Sequence, residues 1–446
     1  MAAAPARLIA LSATTGGLFG YMIAVSNDAI GPVRDELQLS VWDSSVVVSS
    51  LVAGALLGCV VAGAAADRAG RRLTIVGAAV VALVGVALTA SATGSALMTL
   101  GRLVTGVAVG ITSAVAPLYL AELAPFARRG TILTTYQLFI TVGILVAFAV
   151  GVLLAPLRQW RWMFALGAVT AVAQLVAALA VPSSPRFLVR RGRVSQARTS
   201  LARIRPPEEV EPELAAIVAA TEEEEVPPLR ELFSARLRPG VVVGIMMALM
   251  NALVGVGAVI YYSTDVFRAA GIGGTNGAEF ASLAVGGVNF LAAIVSVFLT
   301  DRFGRRPLLS IGLVAIAVCL AVAGIILVGP GAEQGGLLVA AILGYMAFFA
   351  ISAGPLAWLL LSEVLPGIIR ARAAAIATAA NWGANLLITL LFPLVVGSPG
   401  DPERVGMAFW FFGVLTLGFL AFVRLRVPET RGRTLERIEA DLRGSR

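Results

Sequence analysis

The hexapeptide DRAGRR at residues 67–72 returns as DRFGRR at residues 301–306, which is 234 positions later. Each copy stands between two long apolar runs, so each forms a short polar link. Glycine at the fourth position permits a tight turn, and the aspartate at the first can accept hydrogen bonds from arginine or from an exposed helix N-terminus. One such link is an ordinary basic loop, but two in matching settings indicate a repeat.

A glutamate and an arginine seven residues apart form a second repeated pattern. Glu122 precedes Arg129, and Glu363 precedes Arg370, which places the two glutamates 241 positions apart. Because this offset is close to that of the hexapeptide, two unrelated motifs indicate a single internal duplication. The chain therefore consists of two related halves.

The composition identifies the apolar runs as membrane spans. The 446 residues are 58% apolar and 13% charged, whereas an ordinary soluble domain carries roughly 25% charged residues. Crossing about 30 Å of hydrocarbon takes roughly 20 apolar residues in a helix, and about twelve runs approach this length. We place the spans near residues 8–27, 44–66, 73–93, 97–123, 130–155, 160–181, 240–267, 279–300, 307–329, 336–362, 371–397 and 405–425.

These spans predict an all-α membrane protein of twelve transmembrane helices in two pseudo-symmetric bundles of six. The N-terminal bundle covers residues 1–181 and the C-terminal bundle residues 240–427. Residues 182–239 form a polar cytoplasmic linker, in which apolar residues at helical spacing predict short amphipathic helices near 194–203 and 208–220. Residues 428–446 form a cytoplasmic tail.

The charge distribution gives an orientation. The net charge is +8, with no lysine and no histidine, and the arginines concentrate in alternate short loops. Because cytoplasmic loops of membrane proteins carry the positive charge, we expect both termini in the cytoplasm and the chain in a bacterial inner membrane. The basic balance therefore indicates a lipid bilayer as partner, not nucleic acid.

The repeated charged residues predict an ion-pair network at the cytoplasmic edge, which we call the cytoplasmic latch. We expect Glu122 and Glu363 to pair with loop arginines such as Arg72 and Arg306 in one conformational state, and the pairs to separate when the halves rock. The members of the latch are Asp67, Arg68, Arg71, Arg72, Glu122 and Arg129 in the first half, and Asp301, Arg302, Arg305, Arg306, Glu363 and Arg370 in the second.

Further motifs carry a resemblance to a known family. They include F-G-Y at residues 19–21, P-L-Y-L-A-E at 117–122, Q-L-F at 137–139, P-S-S-P-R at 182–186, N-W at 381–382 and P-E-T-R-G-R at 428–433. From Gly16 to Glu439 the chain resembles the sugar porter branch of the major facilitator superfamily. Its departures include Ser183, where the family has glutamate in P-E-S-P-R.

The resemblance implies a transporter that moves a sugar, polyol or related small organic solute by alternating access. Amides can bond hydroxyl pairs, and an indole can stack on the apolar face of a pyranose. The segment N-A-L-V-G-V-G at residues 251–257 replaces the family's Q-Q-L-S-G-I-N, which suggests a less hydroxylated or larger substrate. The substrate-binding residues that the resemblance implies are Phe19, Gln137, Tyr261, Asn289, Gly354, Trp358, Asn381, Trp382 and Asn385.

Coupling to protons departs from the family pattern. Proton-linked members carry an aspartate after F-G-Y and a second acid in the sixth span, and these positions hold Met22 and Gly167 here. Facilitated diffusion is therefore favoured over standard proton symport. The remaining candidate is Asp28, which ends the first span on the outer side and could pair with Arg102 at the start of the fourth.

Other functions have weaker support. An exporter of drug-like or secondary metabolites is an alternative, although the fifth span lacks the G-P-x-x-G-G pattern typical of exporters. A transporter-like nutrient sensor would need a long signalling tail. We find no nucleophile and base pair, no metal-ligand cluster and no phosphate loop, so we expect no enzyme activity, no cofactor and no metal. Cys59 and Cys319 are expected to be buried hydrophobes, and the protein to be a monomer.

Overall fold

The computed structural model describes residues 3–125, 128–222, 234, 237–272, 276–329, 335–365, 370–397 and 401–430. Within these residues the secondary structure is helical, without strands, as the sequence predicts. The first half contains α1 (Ala3–Ala24), α2 (Ser26–Leu37), α3 (Val41–Ala69), α4 (Arg71–Ala90), α5 (Ser95–Leu123), α6 (Arg129–Leu154), α7 (Trp160–Ala165) and α8 (Gly167–Ala180).

Three short helices follow in the linker, and the second half resumes after them. The linker helices are α9 (Pro185–Arg190), α10 (Val194–Ala202) and α11 (Pro207–Glu222). The second half contains α12 (Arg238–Leu253), α13 (Val256–Ala269), α14 (Gly277–Phe303), α15 (Arg305–Val328), α16 (Gly335–Ile351), α17 (Ala353–Val364), α18 (Arg370–Val396) and α19 (Pro402–Arg426).

The helices confirm the predicted spans. Within the described residues, eleven helical segments are long and apolar enough to cross a membrane, and a twelfth span is formed by α1 and α2, which meet at a bend of 42°. Several spans are interrupted by a one-residue or two-residue break, as between α16 and α17. The all-α fold of twelve membrane helices predicted from the sequence is therefore correct.

Glycine makes the two repeated turns possible. Gly70 lies between α3 and α4 with φ of +86°, and Gly304 lies between α14 and α15 with φ of +82°. This region of backbone conformation is strained for residues that carry a Cβ atom. The same unusual conformation at matching positions supports the duplication inferred from the hexapeptides.

Glycine also allows α1 and α6 to pack backbone to backbone. A Cβ atom on Gly20 would lie 1.9 Å from the carbonyl oxygen of Ile140, and one on Gly143 would lie 2.4 Å from the carbonyl oxygen of Gly17. Small residues are the usual means by which membrane helices approach so closely. Neither position has room for even one additional methyl group.

The linker helices form a small apolar core of their own. The predicted helices near 194–203 and 208–220 are confirmed as α10 and α11, and α9 precedes them. Arg205 connects this group to the end of α5, because its guanidinium donates to the carbonyl oxygens of Leu123 and Ala124 at 2.9 and 3.2 Å and pairs with Glu213 at 2.6 Å. The buried members of the core are Leu188, Val189, Ala197, Leu201, Val210, Leu214 and Ile217.

The contacts between helices divide the chain into two compact units. Unit 1 contains residues 1–23, 53–147 and 161–225, and unit 2 contains residues 24–52, 148–160 and 226–446. This division places α2 with the helices of the second half of the sequence. The domain boundaries proposed from the sequence at residues 181 and 239 stay a prediction.

Candidate functional site

A chain of three asparagine amides connects α12, α17 and α18 in unit 2. The Asn381 amide donates to the carbonyl oxygen of Ala248 at 2.8 Å and to the Asn251 side-chain oxygen at 3.3 Å. The Asn385 amide donates to the Asn381 side-chain oxygen at 3.2 Å, one helical turn away. Asn251 in turn donates to the carbonyl oxygen of Gly354 at 3.3 Å. Three of the predicted binding residues therefore lie in one connected group.

Asn251 is a member of this group that the sequence argument missed. The segment at residues 251–257 was interpreted as a loss of amides relative to the family pattern. The structure shows that the first position of that segment still supplies an amide, which connects α12 to the start of α17. The amide content of the site is therefore reduced less than expected.

A proline explains the break between α16 and α17. Pro355 has no N–H group, so it cannot bond the carbonyl oxygen of Ile351 four residues earlier. Ser296 on α14 takes that place, because its hydroxyl donates to the Ile351 carbonyl oxygen at 3.1 Å. The break positions Gly354, which is buried, and Trp358, which is half-buried one turn along α17.

Polar residues at a spacing of seven mark one face of α14. Ser282 bonds to α13, Ser296 bonds to the end of α16, and Asn289 lies midway between them on the same face. Asn289 is 5% exposed, no hydrogen bond joins its side chain to a described residue, and its amide atoms are not among those buried without a partner. Its amide therefore reaches solvent and has unused hydrogen-bonding capacity.

The remaining predicted binding residues fall in both units. Phe19, on α1, is half-buried, and Gln137, on α6, is exposed; both belong to unit 1. Tyr261 and Trp382 are buried in unit 2. A single site that joins the residues of both units stays a prediction.

Met22 and Gly167 contact each other in unit 1. A Cβ atom on Gly167 would lie 2.7 Å from the Met22 Cε atom, so the methionine side chain covers the glycine. Arg102 is 1% exposed, donates to the Met22 carbonyl oxygen at 3.2 Å and lies 5.3 Å above the Phe164 ring centre. The two positions that are acidic in proton-linked family members thus form an apolar contact beside this arginine.

Asp28 lies in unit 2, on α2, and is 2% exposed. Its Oδ1 atom lies 2.5 Å from the Thr264 hydroxyl on α13 and accepts from the Asn27 amide at 3.1 Å. Its Oδ2 atom has no hydrogen-bond partner among the described residues. Because Asp28 and Arg102 belong to different units, the pairing proposed between them stays a prediction.

The latch contains two ion pairs, and in each of them the arginine is the residue directly before the one named in the sequence analysis. Arg71 pairs with Glu122 at 3.2 Å, and Arg305 pairs with Glu363 at 3.6 Å. The predicted partners behave differently, since Arg72 donates to the carbonyl oxygens of Ala178 and Leu179 and Arg306 donates to that of Arg424. In this conformation the glutamates pair with Arg71 and Arg305 and not with the examples Arg72 and Arg306, because the turn at each glycine directs the first arginine after it toward the glutamate.

Other latch residues are placed as follows. Asp67 contacts Arg71 at 3.6 Å with an exposed side chain, and the Arg302 guanidinium lies 5.8 Å above the Phe303 ring. Arg68 is exposed, and its carbonyl oxygen accepts from Arg191. The side chains of Arg129, Asp301 and Arg370 lie outside the described residues. No group of three metal-ligating side chains occurs in the part of the chain that the structure describes.

Comparison with known proteins agrees with the fold and the motifs. The family model described as Sugar (and other) transporter matches residues 8–442. The putative metabolite transport protein YwtG of Bacillus subtilis is 34% identical over 96% of this chain and 93% of its own. The arabinose-proton symporter of the same species is 34% identical over 97% and 94% of the two chains.

A solved structure shares the fold over its whole length. The proton:xylose symporter XylE, bound to 6-bromo-6-deoxy-D-glucose, superposes with a TM-score of 0.82 and 28% identity and covers 99% of each chain. The family match therefore spans the repeated loops, the amide-bearing helices and the linker together. The chain belongs to the sugar transporter family of the major facilitator superfamily.

Proposed function

We propose that the protein moves a sugar, polyol or related small organic solute across the bacterial inner membrane by alternating access, as a monomer with both termini in the cytoplasm. The observation that carries this proposal is Asn289, a mostly buried residue whose amide reaches solvent and has no partner among the described residues. An amide in this position can bond a ligand hydroxyl without giving up a protein partner.

A sugar is well suited to this environment. Each hydroxyl of a sugar both donates and accepts, as each amide does, so Asn289 and the connected amides of Asn251, Asn381 and Asn385 can bond several hydroxyls at once. Trp358 and Trp382 on neighbouring helices can stack on the apolar face of the ring. The printed names of the relatives, an arabinose-proton symporter and a proton:xylose symporter, support pentoses among the first compounds to test.

The latch has a role in the same cycle. The pairs Arg71 with Glu122 and Arg305 with Glu363 join helix ends on the side that we assign to the cytoplasm. An interaction present in only one state shifts the balance between inward-open and outward-open forms. The latch therefore favours the form in which both pairs are made.

Two observations bear on the energy source of transport, and they point in opposite directions. Met22 and Gly167 remove the two acids typical of proton-linked members, which favours facilitated diffusion, whereas the named relatives include proton symporters. Coupling in this chain would require another carboxylate within the membrane domain, and Asp28 is the candidate.

The test is exchange by the purified full-length protein in liposomes. Labelled xylose, arabinose, glucose and galactose are offered separately to vesicles that contain the same unlabelled sugar. The Gln137→Ala and Asn289→Ala variants should bind the transported sugar about ten- to a hundredfold more weakly, which corresponds to one lost hydrogen bond in a buried site.

Gln174→Ala is the matched control for these variants. Its amide is also buried, but it donates to the Ile75 carbonyl oxygen and the Thr112 hydroxyl within unit 1, so its loss should leave sugar affinity unchanged. Parent-like affinity in both Gln137→Ala and Asn289→Ala would contradict the assigned site. Absence of exchange for all four sugars would contradict sugar transport.

A further inference from the structure

Asp28 belongs to a buried hydroxyl cluster that joins α2 to α13 and α14 in unit 2. Four contacts follow one another through this cluster. The Asp28 Oδ1 atom lies 2.5 Å from the Thr264 hydroxyl, which lies 2.8 Å from the Ser282 hydroxyl. The Ser282 hydroxyl lies 2.8 Å from that of Ser263, which lies 3.1 Å from the Asn27 side-chain oxygen. All five residues are at most 2% exposed.

The orientation of the Asn27 amide is fixed by the backbone. The Thr264 N–H group donates to the Asn27 side-chain oxygen at 3.2 Å, and an amide nitrogen could not accept this bond. The Asn27 NH₂ group therefore faces the other way, where its two hydrogens serve the Asp28 Oδ1 atom and the Thr264 hydroxyl at 3.1 and 2.8 Å. Neither of these hydrogens is available to the four contacts of the cluster.

A count of the hydrogens available to these four contacts then indicates the protonation state of the Asp28 carboxyl group. Each of the four contacts requires one hydrogen, but Thr264, Ser282 and Ser263 supply only three between them. A proton on the carboxyl group supplies the fourth, and every bond then runs in one direction, from Asp28 through Thr264, Ser282 and Ser263 to Asn27. Without that proton, one contact has two oxygens and no hydrogen between them.

The burial of the Asp28 carboxyl group also favours its protonated form. The Asp28 Oδ2 atom has no partner among the described residues, and a Cβ atom on Gly151 of α6 would lie 2.0 Å from it. An ionised carboxylate with an unpartnered buried oxygen is costly, whereas the carbonyl oxygen of a neutral carboxyl group is less so. The closed cluster therefore fits a protonated Asp28.

The charged groups around Asp28 have partners of their own. On α13 and α14, Arg268 pairs with Glu279, and Asp265 pairs with Arg34 of α2 at 3.8 Å. The other acids of α2 are occupied at the end of the helix, since Asp35 pairs with Arg158 at 3.3 Å and Glu36 accepts from the Trp160 indole at 2.7 Å. None of the described ion pairs includes Asp28, so its charge has no counter-ion in this cluster.

We propose that Asp28 is the binding site of a co-transported proton, and that protonation closes the cluster between α2, α13 and α14. This inference rests on the proposed function, since it supplies the energy source of the same transport cycle. With the termini in the cytoplasm, the cluster lies at the outer end of the first span. Closure of this end after sugar entry then requires a proton, and reopening releases it.

The Asp28→Asn variant tests this inference in proteoliposomes that contain an internal pH dye. The amide nitrogen can supply a permanent hydrogen to Thr264 in place of the proton, with loss of the 3.1 Å bond from Asn27, so the cluster should close without a proton. Sugar exchange should continue, while accumulation under an imposed pH gradient should fall to equilibration and sugar-driven proton uptake should disappear. Accumulation equal to that of the parent would overturn the inference.

Asp265→Asn is the matched control, because it removes a carboxylate beside Thr264 whose partner is Arg34. Its accumulation should stay within about twofold of the parent, since the contact with Arg34 is long, at 3.8 Å, and Asp265 takes no part in the four contacts of the cluster. Loss of accumulation in both variants would show that any charge change here uncouples transport, which would overturn the specific assignment to Asp28.

Ser282→Ala provides a second test that keeps the carboxylate. Two contacts remain, Asp28 to Thr264 and Ser263 to Asn27, and two hydroxyl hydrogens serve them, so the count no longer requires a proton. Accumulation should fall while exchange persists, and full accumulation would refute the hydrogen count. A parent that exchanges sugar but never accumulates it would overturn the inference and leave sugar transport intact, whereas no exchange at all would overturn both.

Discussion

The two repeated loops have the same sequence pattern but different surroundings. In the first, the side chains of Arg71 and Glu122 are each 6% exposed and 3.2 Å apart. In the second, the side chains of Arg305 and Glu363 are 17% and 23% exposed and 3.6 Å apart. Glu122 has further support from the Ser184 hydroxyl, whereas the Glu363 Oε2 atom has no partner among the described residues. The first pair is therefore the more buried and the better supported of the two.

The helix that follows each turn is also stabilised differently. At the start of α15, the Glu429 carboxylate accepts the backbone N–H groups of Arg305 and Arg306, each at 3.1 Å. At the start of α4, no side chain of a described residue accepts the backbone N–H groups of Arg71 and Arg72, and the Phe187 ring lies against the guanidinium groups of Arg71 and Arg191.

The sequence explains this difference. P-E-T at residues 428–430 corresponds to P-S-S at residues 182–184, so the capping carboxylate of the second half is replaced by Ser183 in the first. Both halves keep the ion pair after the duplication, while the side chains that surround the pair differ between them. The first loop depends on a buried pair and the second on a helix cap.

The largest difference should come from removing the arginine of each pair. Arg71→Ala leaves Glu122 buried without its cation and should lower the free energy of unfolding in detergent by about 3–5 kcal/mol. Arg305→Ala should cost less, about 1–2 kcal/mol, because that pair is longer and its side chains are more exposed. Denaturant titration of both variants measures the difference, and equal losses would show that the two loops are energetically alike.

A smaller effect is expected at the helix cap. Glu429→Ala removes the acceptor of two backbone N–H groups at the start of α15 and should cost about 1–2 kcal/mol of unfolding free energy. Glu403→Ala, on an exposed turn of α19, is the control and should change it by less than about 0.5 kcal/mol. Similar values for the two variants would argue against a capping role for Glu429.

The smallest effect should be a gain. Ser183→Glu supplies the missing carboxylate near the N-terminus of α4, where a negative charge contributes about 0.3–1 kcal/mol. Ser183→Gln is the control, since it has similar size without the charge. A rise in melting temperature for the glutamate variant alone is expected. A fall for both would indicate that Phe187 already fills the space.

The spans, the repeat and the sugar-transporter family could be predicted from the sequence because each depends on local composition or on motifs along the chain. The partner of Glu122 could not be, since Arg71 and Arg72 lie about 100° apart around a helix and only the turn at Gly70 decides which one faces the glutamate. The Ser296 bond was predictable in principle, because Pro355 always frees the carbonyl oxygen four residues before it.

The hydroxyl cluster was beyond sequence reasoning. Asn27 and Thr264 are separated by 237 residues, and serine or threonine within an apolar helix usually bonds its own backbone. Nothing in the local pattern distinguishes Thr264 from such residues. For Asn251, comparison of motifs counted residue identities, whereas the geometry shows which atoms reach a partner.

The contact between α1 and α6 bears on how saturation mutagenesis of this protein should be interpreted. At Gly20 and Gly143 a single methyl group would collide with the backbone of the facing helix, so alanine should be as poorly tolerated as a large residue. Intolerance of every substitution, together with reduced abundance, is the signature of such a contact. A position that we propose to bind sugar, such as Gln137, should instead lose transport at normal abundance. A screen that records abundance and uptake together would thus separate the residues that hold the helices together from those that bind the cargo.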